Sequence, residues 1–415
     1  MTVSPGNSRT IAQESGNEVT GAVDSQPTIP KPDRLLRSLM VSDVYFPRIN
    51  GVSTSIETFR AALIGQGVSS HLIAPAYDHA YPAADITRVP SRPVWGDPED
   101  RLAHYRKLRR ATLAAAADCD VIHIQTPFAA HYAGLHAARA LNKPVIASYH
   151  TLFEEYLQHY IPWLPAAALR GLARRFSRGQ CNALDAVIVP SNAMRERLRS
   201  YGVTRPIHVL PTGLPAGAFE PGDAAAFRTQ HGITPEQPVV LFVGRVAHEK
   251  NISFLLHAVD IARRAFPDLL FLVTGEGPAV TELELLMLNL GLRKHVRFLG
   301  YLDRKRDLPA AYAAADAFIF ASRTETQGLV LLEAMAQRCP VVGLSIMGTA
   351  DILEPGRGCR IAPNHPAGFA QVLLDLLADP VARLRLGDEA RTYAKEWSDQ
   401  SLAAKLAALY RGLLD

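Results

Sequence analysis

Residues 239–277 read VVLFVGRVAHEKNISFLLHAVDIARRAFPDLLFLVTGEG. Two aliphatic runs, VVLFVGRV and LLFLVTGEG, are separated by a spacer long enough for one helix. Short β-branched and aliphatic runs with helix-length spacers form parallel strands covered on both faces. The same alternation extends downstream through VRFLGYL (296–302), AFIFAS (317–322), PVVGLS (340–345) and CRIAP (359–363). Upstream lies a second series: LLRSLMVSDVY (35–45), SSHLIAPA (69–76), DVIHIQT (120–126), PVIASYH (144–150), DAVIVPS (185–191) and IHVLPTG (207–213). Each series has six members, enough for one doubly wound sheet. Residues 213–238, between them, are rich in Gly, Pro and Ala and hold no long strand candidate, which suits an interdomain connection. The prediction is an α/β protein with two Rossmann-like, doubly wound domains facing across a cleft. They span residues 34–213 and 214–394, after a polar tail of residues 1–33. A final helix over about 395–415 is expected to pack back on the first domain.

Composition bounds the partners. The chain has 415 residues, 48% of them hydrophobic and 20% charged, so most of it is expected to be globular. A formal net charge of +4 gives no reason to expect nucleic acid. The 34–213 segment, however, holds 21 basic against 13 acidic residues, a surplus of eight hidden in that total. Cys119, Cys181, Cys339 and Cys359 are scattered without a CxxC pair, which fits a reducing compartment and supports neither disulfide framework nor zinc site. The first 33 residues have no apolar stretch of signal-peptide type. The uncharged run from Val121 up to Arg139 contains His123, Gln125, His131 and His136, which a bilayer core would accept only at high cost. A cytoplasmic location, with peripheral contact to the inner face of the cell membrane, is the expectation.

Three segments carry candidate chemistry. Asn50-Gly51-Val52, followed by Ser53, Thr54 and Ser55, opens a helix whose free N–H groups suit a phosphate, with Gly51 permitting close approach. An ordinary Asn-Gly turn with hydroxyl caps is the competing reading. In GRVAHEKN, Arg245 and Lys250 follow a strand directly and can clamp a diphosphate, Arg as a fork and Lys as a point charge. A surface pair between Lys250 and Glu249 fits that spacing equally. In TETQGLVLLEA, Gly328 is placed to start a helix, with Glu325 in the loop before it and Glu333 inside it. Carboxylates so placed accept hydrogen bonds from sugar and ribose hydroxyls, or stand as a helix-terminal charge and a solvated side chain. His123, His131 and His136 are spaced by eight and five, off a common helix face, and no metal set is expected.

The combination NGVSTSI, GRVAHEKN and ETQGLVLLEA, in this order, resembles the retaining glycosyltransferases of family 4, which have the GT-B fold. The resemblance covers residues 35–415, and PSNAMRERL (190–198), LPTGL (210–214) and PVVGLSIMGTADIL (340–353) also fall in place. It implies a nucleotide-sugar donor, metal-independent transfer without a cofactor, and retention of configuration. It further implies that Gly51 approaches the donor diphosphate, and that Arg245 and Lys250 neutralise it as it leaves. Glu325 would hold the transferred sugar, Glu333 the ribose, and the amides of Gly328, Leu329 and Val330 the distal phosphate. His150 would position the sugar near the reacting carbon.

Thr326-Gln327 stands where many relatives carry an aromatic, and places an amide that sugar hydroxyls could meet. With YFPRINGVSTSI (45–56) and SYHTLFEEYLQHYIP (148–162), this version is similar to bacterial diacylglycerol glucosyltransferases and related glycolipid enzymes. That branch implies transfer of a hexose, glucose from UDP-glucose in the first instance, onto a membrane lipid such as diacylglycerol. A mannosyltransferase or other hexosyltransferase acting on a phosphatidylinositol-type, other polar-lipid or soluble sugar acceptor is the alternative within the class. A nucleotide-sugar epimerase and a non-enzymatic binding protein are the alternatives outside it. On the acceptor side, RLAHYRKLRR (101–110) and WLPAAALRGLARRFSRGQC (163–181) are basic without an acid. Arg170, Arg174 and Arg178 share a helix face beside Leu169, Leu172 and Phe176, a pattern for docking on anionic membrane or for a solvated face over a core stripe.

Overall fold

The computed structural model describes residues 35–48, 50–78, 83–94, 97–150 and 166–415. The tail of residues 1–33 and most of SYHTLFEEYLQHYIP lie outside the described residues. So do the side chains of Leu169 and Arg170.

Two parallel sheets form. The strands of the first are β1 (Leu36–Val41), β2 (Val68–Pro75), β3 (Ile86–Val89), β6 (Val121–Ile124), β7 (Val145–Ser148), β8 (Ala186–Val189) and β9 (Ile207–Val209), in the order β3-β2-β1-β6-β7-β8-β9. A separate antiparallel hairpin joins β4 (Ser91–Val94) to β5 (Asp97–Ala103). The second sheet has β10 (Val239–Val243), β11 (Leu270–Thr274), β12 (Val296–Gly300), β13 (Ala317–Phe320), β14 (Val341–Gly343) and β15 (Cys359–Ile361), in the order β12-β11-β10-β13-β14-β15. This is the expected doubly wound α/β architecture with six strands in the second half. The first half departs from expectation by one strand and the hairpin. β3 is a four-residue edge strand pairing only with β2, and its Thr87-Arg88 centre lacks the aliphatic signature of a strand buried on both faces. The hairpin also alters RLAHYRKLRR, whose first three residues end β5 before a helix begins at Tyr105.

Burial explains the strand choice. Every residue of β10, β11 and β13 is buried, and covering each such Val, Leu or Phe side chain stabilises by about 1.5–3 kcal/mol. In β1 the two-residue period divides the core: Leu39 and Val41 face one apolar cluster, Leu36 and Met40 the other. The final helix, Asp399–Gly412, adds Leu402, Ala403, Leu406, Ala407 and Tyr410 to the second of these clusters and packs beside helix Gly51–Ile64. Its Tyr410 hydroxyl lies 2.7 Å from Nδ1 of His123 on β6.

Each sheet reverses its strand order once, between β1 and β6 in the first and between β10 and β13 in the second. At such points the flanking loops diverge and leave a crevice beyond the carboxyl ends of the strands. Among the described residues, no helix is long and apolar enough to cross a membrane.

Candidate active site

The two loops flanking the second crevice come from β10 and β13 and are stitched together. Asn251, in the left-handed region with φ +57°, ends the single turn His248–Lys250 and donates from its side chain to the Ala321 carbonyl at 3.2 Å. Ser322 donates to the Glu249 carbonyl at 3.3 Å. This stitching brings Lys250 Nζ to 2.5 Å from Glu325 Oε2, with both side chains 20% exposed. Lys250 therefore pairs with Glu325 and not with its neighbour Glu249. Arg245 is 63% exposed and meets Glu249 only at 3.8 Å, which leaves its guanidinium facing solvent beside the pair.

Residues 325–328 lead from the β13 loop into helix Leu329–Ala336. Gly328 takes φ +91°, a conformation that disfavours any Cβ, and so turns the chain into the helix. The helix's first amides, Leu329 and Val330 among them, have no acceptor within the helix and carry its positive end. Glu333 lies one turn further in. Its carboxylate accepts from Arg304 Nη2 at 3.0 Å and from the Tyr312 hydroxyl at 3.1 Å. Burial raises the Glu333 carboxyl above its ordinary range, while Arg304 and Tyr312 pull it back down.

Gln327 departs from expectation. Its Oε1 accepts from the Thr212 N–H at 2.8 Å, and its Nε2 donates to the Thr212 carbonyl at 2.7 Å. The amide placed by sequence toward sugar hydroxyls is thus turned to the main chain of the seam, because a buried amide must find partners and a peptide group offers both at once.

In the first half, Asn50 caps helix Gly51–Ile64 by accepting from Ser53 N at 2.8 Å, and a Cβ added to Gly51 would meet no protein atom within 4 Å. His150 lies two residues beyond β7; its Nε2 finds no hydrogen-bond partner among the described residues, and burial lowers its pKa to about 4. Beneath it His123, lowered to about 3 by burial and then by His150, places Nε2 2.8 Å from Ser148 Oγ. Asp43, at the β1–β6 reversal, accepts from the Thr126 hydroxyl at 2.7 Å and from the Ala130 amide at 3.0 Å. Burial raises its carboxyl to about 6 against those bonds.

The family profile Glycosyltransferase Family 4 matches residues 49–216, and Glycosyl transferases group 1 matches residues 223–393. An alpha-monoglucosyldiacylglycerol synthase of Streptococcus pneumoniae is 32% identical over 315 residues, 74% of this chain and 70% of that protein. The chain belongs to the family 4 glycosyltransferases. A second alpha-monoglucosyldiacylglycerol synthase, from Acholeplasma laidlawii, is 25% identical across 92% of this chain and 98% of its own length. Among solved structures, Anabaena HepE in complex with UDP superposes with a TM-score of 0.72 at 19% identity, over 91% of this chain and all of that one. That likeness identifies the GT-B fold.

Within this glycosyltransferase the expected residues fall into two sets. Arg245, Lys250, Glu325, Gly328, Leu329, Val330 and Glu333 gather at the β10–β13 reversal; Gly51 and His150 lie beyond the carboxyl ends of β1 and β7. Sequence reasoning missed Arg304, Tyr312 and Asp43, whose partners stand 29, 21 and 83 residues away and leave no local spacing to read. Among the described residues no three His, Cys, Asp or Glu side chains gather as a metal set.

The basic segments of the first half lie on its surface. Arg106, Lys107, Arg109 and Arg110 are exposed on helix Tyr105–Ala116, and Arg174, Arg175 and Arg178 on helix Ala166–Asn182. The latter helix buries Ala173, Ser177, Gln180 and Cys181, so Leu172 is not part of a core stripe; it is 55% exposed among the arginines. Tyr105, Phe128 and Tyr132 are exposed at or beside the first turns of helices Tyr105–Ala116 and Ala129–Leu141.

Proposed function

We propose that this glycosyltransferase is a retaining enzyme that moves glucose from UDP-glucose onto a membrane lipid of the diacylglycerol type, without a metal ion. The observation that carries the reading is the Lys250–Glu325 pair set beside the Gly328 turn at the β10–β13 reversal. Cleavage of the sugar–phosphate bond concentrates negative charge on the departing diphosphate. Lys250 has two further N–H donors beyond the one directed at Glu325, Arg245 offers an exposed fork that meets Glu249 only at 3.8 Å, and the helix amides of Leu329 and Val330 add a third positive element. Glu325 takes the hydroxyls of the hexose, and Glu333, oriented by Arg304 and Tyr312, takes the ribose. Gly51 lets the first half approach the diphosphate. His150, neutral at physiological pH, orients the sugar as a hydrogen-bonding group. Attack by the acceptor hydroxyl on the face the diphosphate leaves, its proton passing to a departing phosphate oxygen, accounts for retention without a protein nucleophile.

The two alpha-monoglucosyldiacylglycerol synthases among the relatives support glucose as the transferred sugar and diacylglycerol as the acceptor class. The exposed arginines, with Leu172, Tyr105, Phe128 and Tyr132, support docking of the first half on an anionic inner-leaflet surface, since basic heads and interfacial aromatics suit that boundary. Incubation of the purified protein with labelled UDP-glucose, with and without diacylglycerol vesicles, tests the whole reading. UDP release that requires lipid, with label in the lipid phase, is the expected result; sugar interconversion without lipid, or no turnover with any donor, contradicts it.

A further inference from the structure

Three side chains at the boundary of the two halves form a continuous buried relay. Ser55 lies in helix Gly51–Ile64, Thr212 in the LPTGL seam and Gln327 in the loop ahead of Gly328; they are 1%, 7% and 9% exposed. Thr212 Oγ1 donates to Ser55 Oγ at 2.8 Å, while its main chain holds both ends of the Gln327 amide. The amide thus makes the two-point contact of one β-ladder rung, which fixes its rotation as well as its position. On its other side the same loop is held by its own half. Gly348 N donates to the Glu325 carbonyl at 2.8 Å, and Gly348 packs so close that a Cβ would lie 2.1 Å from the Thr326 carbonyl oxygen.

We propose that Gln327 is a positioning residue for sugar transfer. Through Thr212 and Ser55 it sets residues 325–328 against the helix of the opposite half, so that the group holding the hexose and the glycine facing the diphosphate keep one spacing. The proposal rests on the glycosyltransfer reading above, and gives the LPTGL segment a role that the sequence left without one. The substitutions separate the links. Gln327→Leu removes both clasp bonds at nearly constant volume. Thr212→Val removes only the bond to Ser55, Thr212→Ser restores it, and Ser55→Ala removes it from the other side.

With UDP-glucose and diacylglycerol vesicles as substrates, Gln327→Leu is expected to lower kcat by about 100-fold, the scale of a misplacement near 1 Å. UDP binding, made by the phosphate clamp, should stay within about threefold by the same reasoning, and the share of donor lost to water should rise. Thr212→Val and Ser55→Ala should each lower kcat by about 5- to 10-fold, and the double variant no further than either single one. Thr212→Ser should recover the parent rate. A purely structural role would lower the folded fraction and scale all rates together, leaving KM and the hydrolysis share unmoved; that outcome overturns the proposal. So does a Gln327→Leu enzyme within twofold of the parent. In either case an active parent leaves the glycosyltransfer reading standing, whereas a parent that turns over no nucleotide sugar sinks both.

Discussion

In the second half of the chain, the ionisable groups at the carboxyl edge of the sheet are paired with one another, Lys250 with Glu325 and Arg304 with Glu333. In the first half the groups near the same edge include His123 and His131, which are buried, and Asp43 and His150, which are half-buried. His123, His131 and His150 are lowered to about 3, 4 and 4, and Asp43 is raised to about 6. The exposed basic side chains of the first half include Arg106, Lys107, Arg109, Arg110, Arg174, Arg175 and Arg178. The same strand–helix architecture thus serves two electrostatic tasks. On the proposed reading, one half concentrates preorganised charge where a leaving group develops it, and the other presents cations outward.

The largest effect that could break this contrast is at the pair. Lys250→Ala and Glu325→Ala should each cut turnover by about a thousandfold while leaving the fold intact, a loss comparable to that of one oxyanion-hole donor. Near-normal kcat in either variant, with an unchanged circular dichroism spectrum, would move the site elsewhere.

Next in size is the pH response of Asp43. Its folded pKa of about 6 lies above the ordinary 3.8, so the fold favours the protonated carboxyl. The stability this contributes is full below about pH 3.8 and is lost as pH rises through about 6, on the order of 3 kcal/mol. Urea unfolding of the parent relative to Asp43→Asn should show that difference falling between about pH 4 and pH 7, and a flat difference would mean that Asp43 is not desolvated.

Gly348→Ala probes the loop wall. Its Cβ would lie 2.1 Å from the Thr326 carbonyl oxygen, so a backbone shift costing about 1–3 kcal/mol and a matching fall in kcat are expected. Unchanged melting temperature and rate would show that the wall yields freely. The smallest effect belongs to the surface. Reversing Arg174 and Arg175 to Glu should weaken binding to anionic vesicles about tenfold or more and leave UDP affinity alone, since each cation near such a surface contributes about 1 kcal/mol. The difference should shrink in about 0.5 M salt as screening sets in. Equal vesicle binding by variant and parent would remove the docking surface from the account.

Sequence carried the second half further than the first, for a physical reason. β10, β11, β13 and β14 are short aliphatic runs buried on both faces, a pattern that survives without any neighbour being known. β3 and the β4–β5 hairpin are edge or exposed elements whose polar residues carry no such pattern. At the site, the local motifs GRVAHEKN and ETQGLVLLEA announced Lys250, Glu325 and Gly328. The partner of Lys250, 75 residues distant, was open between Glu249 and Glu325 until the β10 and β13 loops were brought together. Gln327 shows the opposite failure. Its polarity suggested a substrate, but Thr212, 115 residues away, satisfies its amide, and no spacing rule contains that distance. Leu172 failed similarly, because helical periodicity places residues on faces without saying which face the sheet will cover.

The central claim is that the Lys250–Glu325 clamp carries retaining transfer of a hexose to lipid. Its most direct test is the proton NMR spectrum of the glycolipid formed from UDP-glucose and diacylglycerol by the parent and by Lys250→Ala. An α-linked glucolipid made by the parent and missing from the variant is the result predicted here. A β-linked product, or an α-linked product made equally well without Lys250, would contradict it.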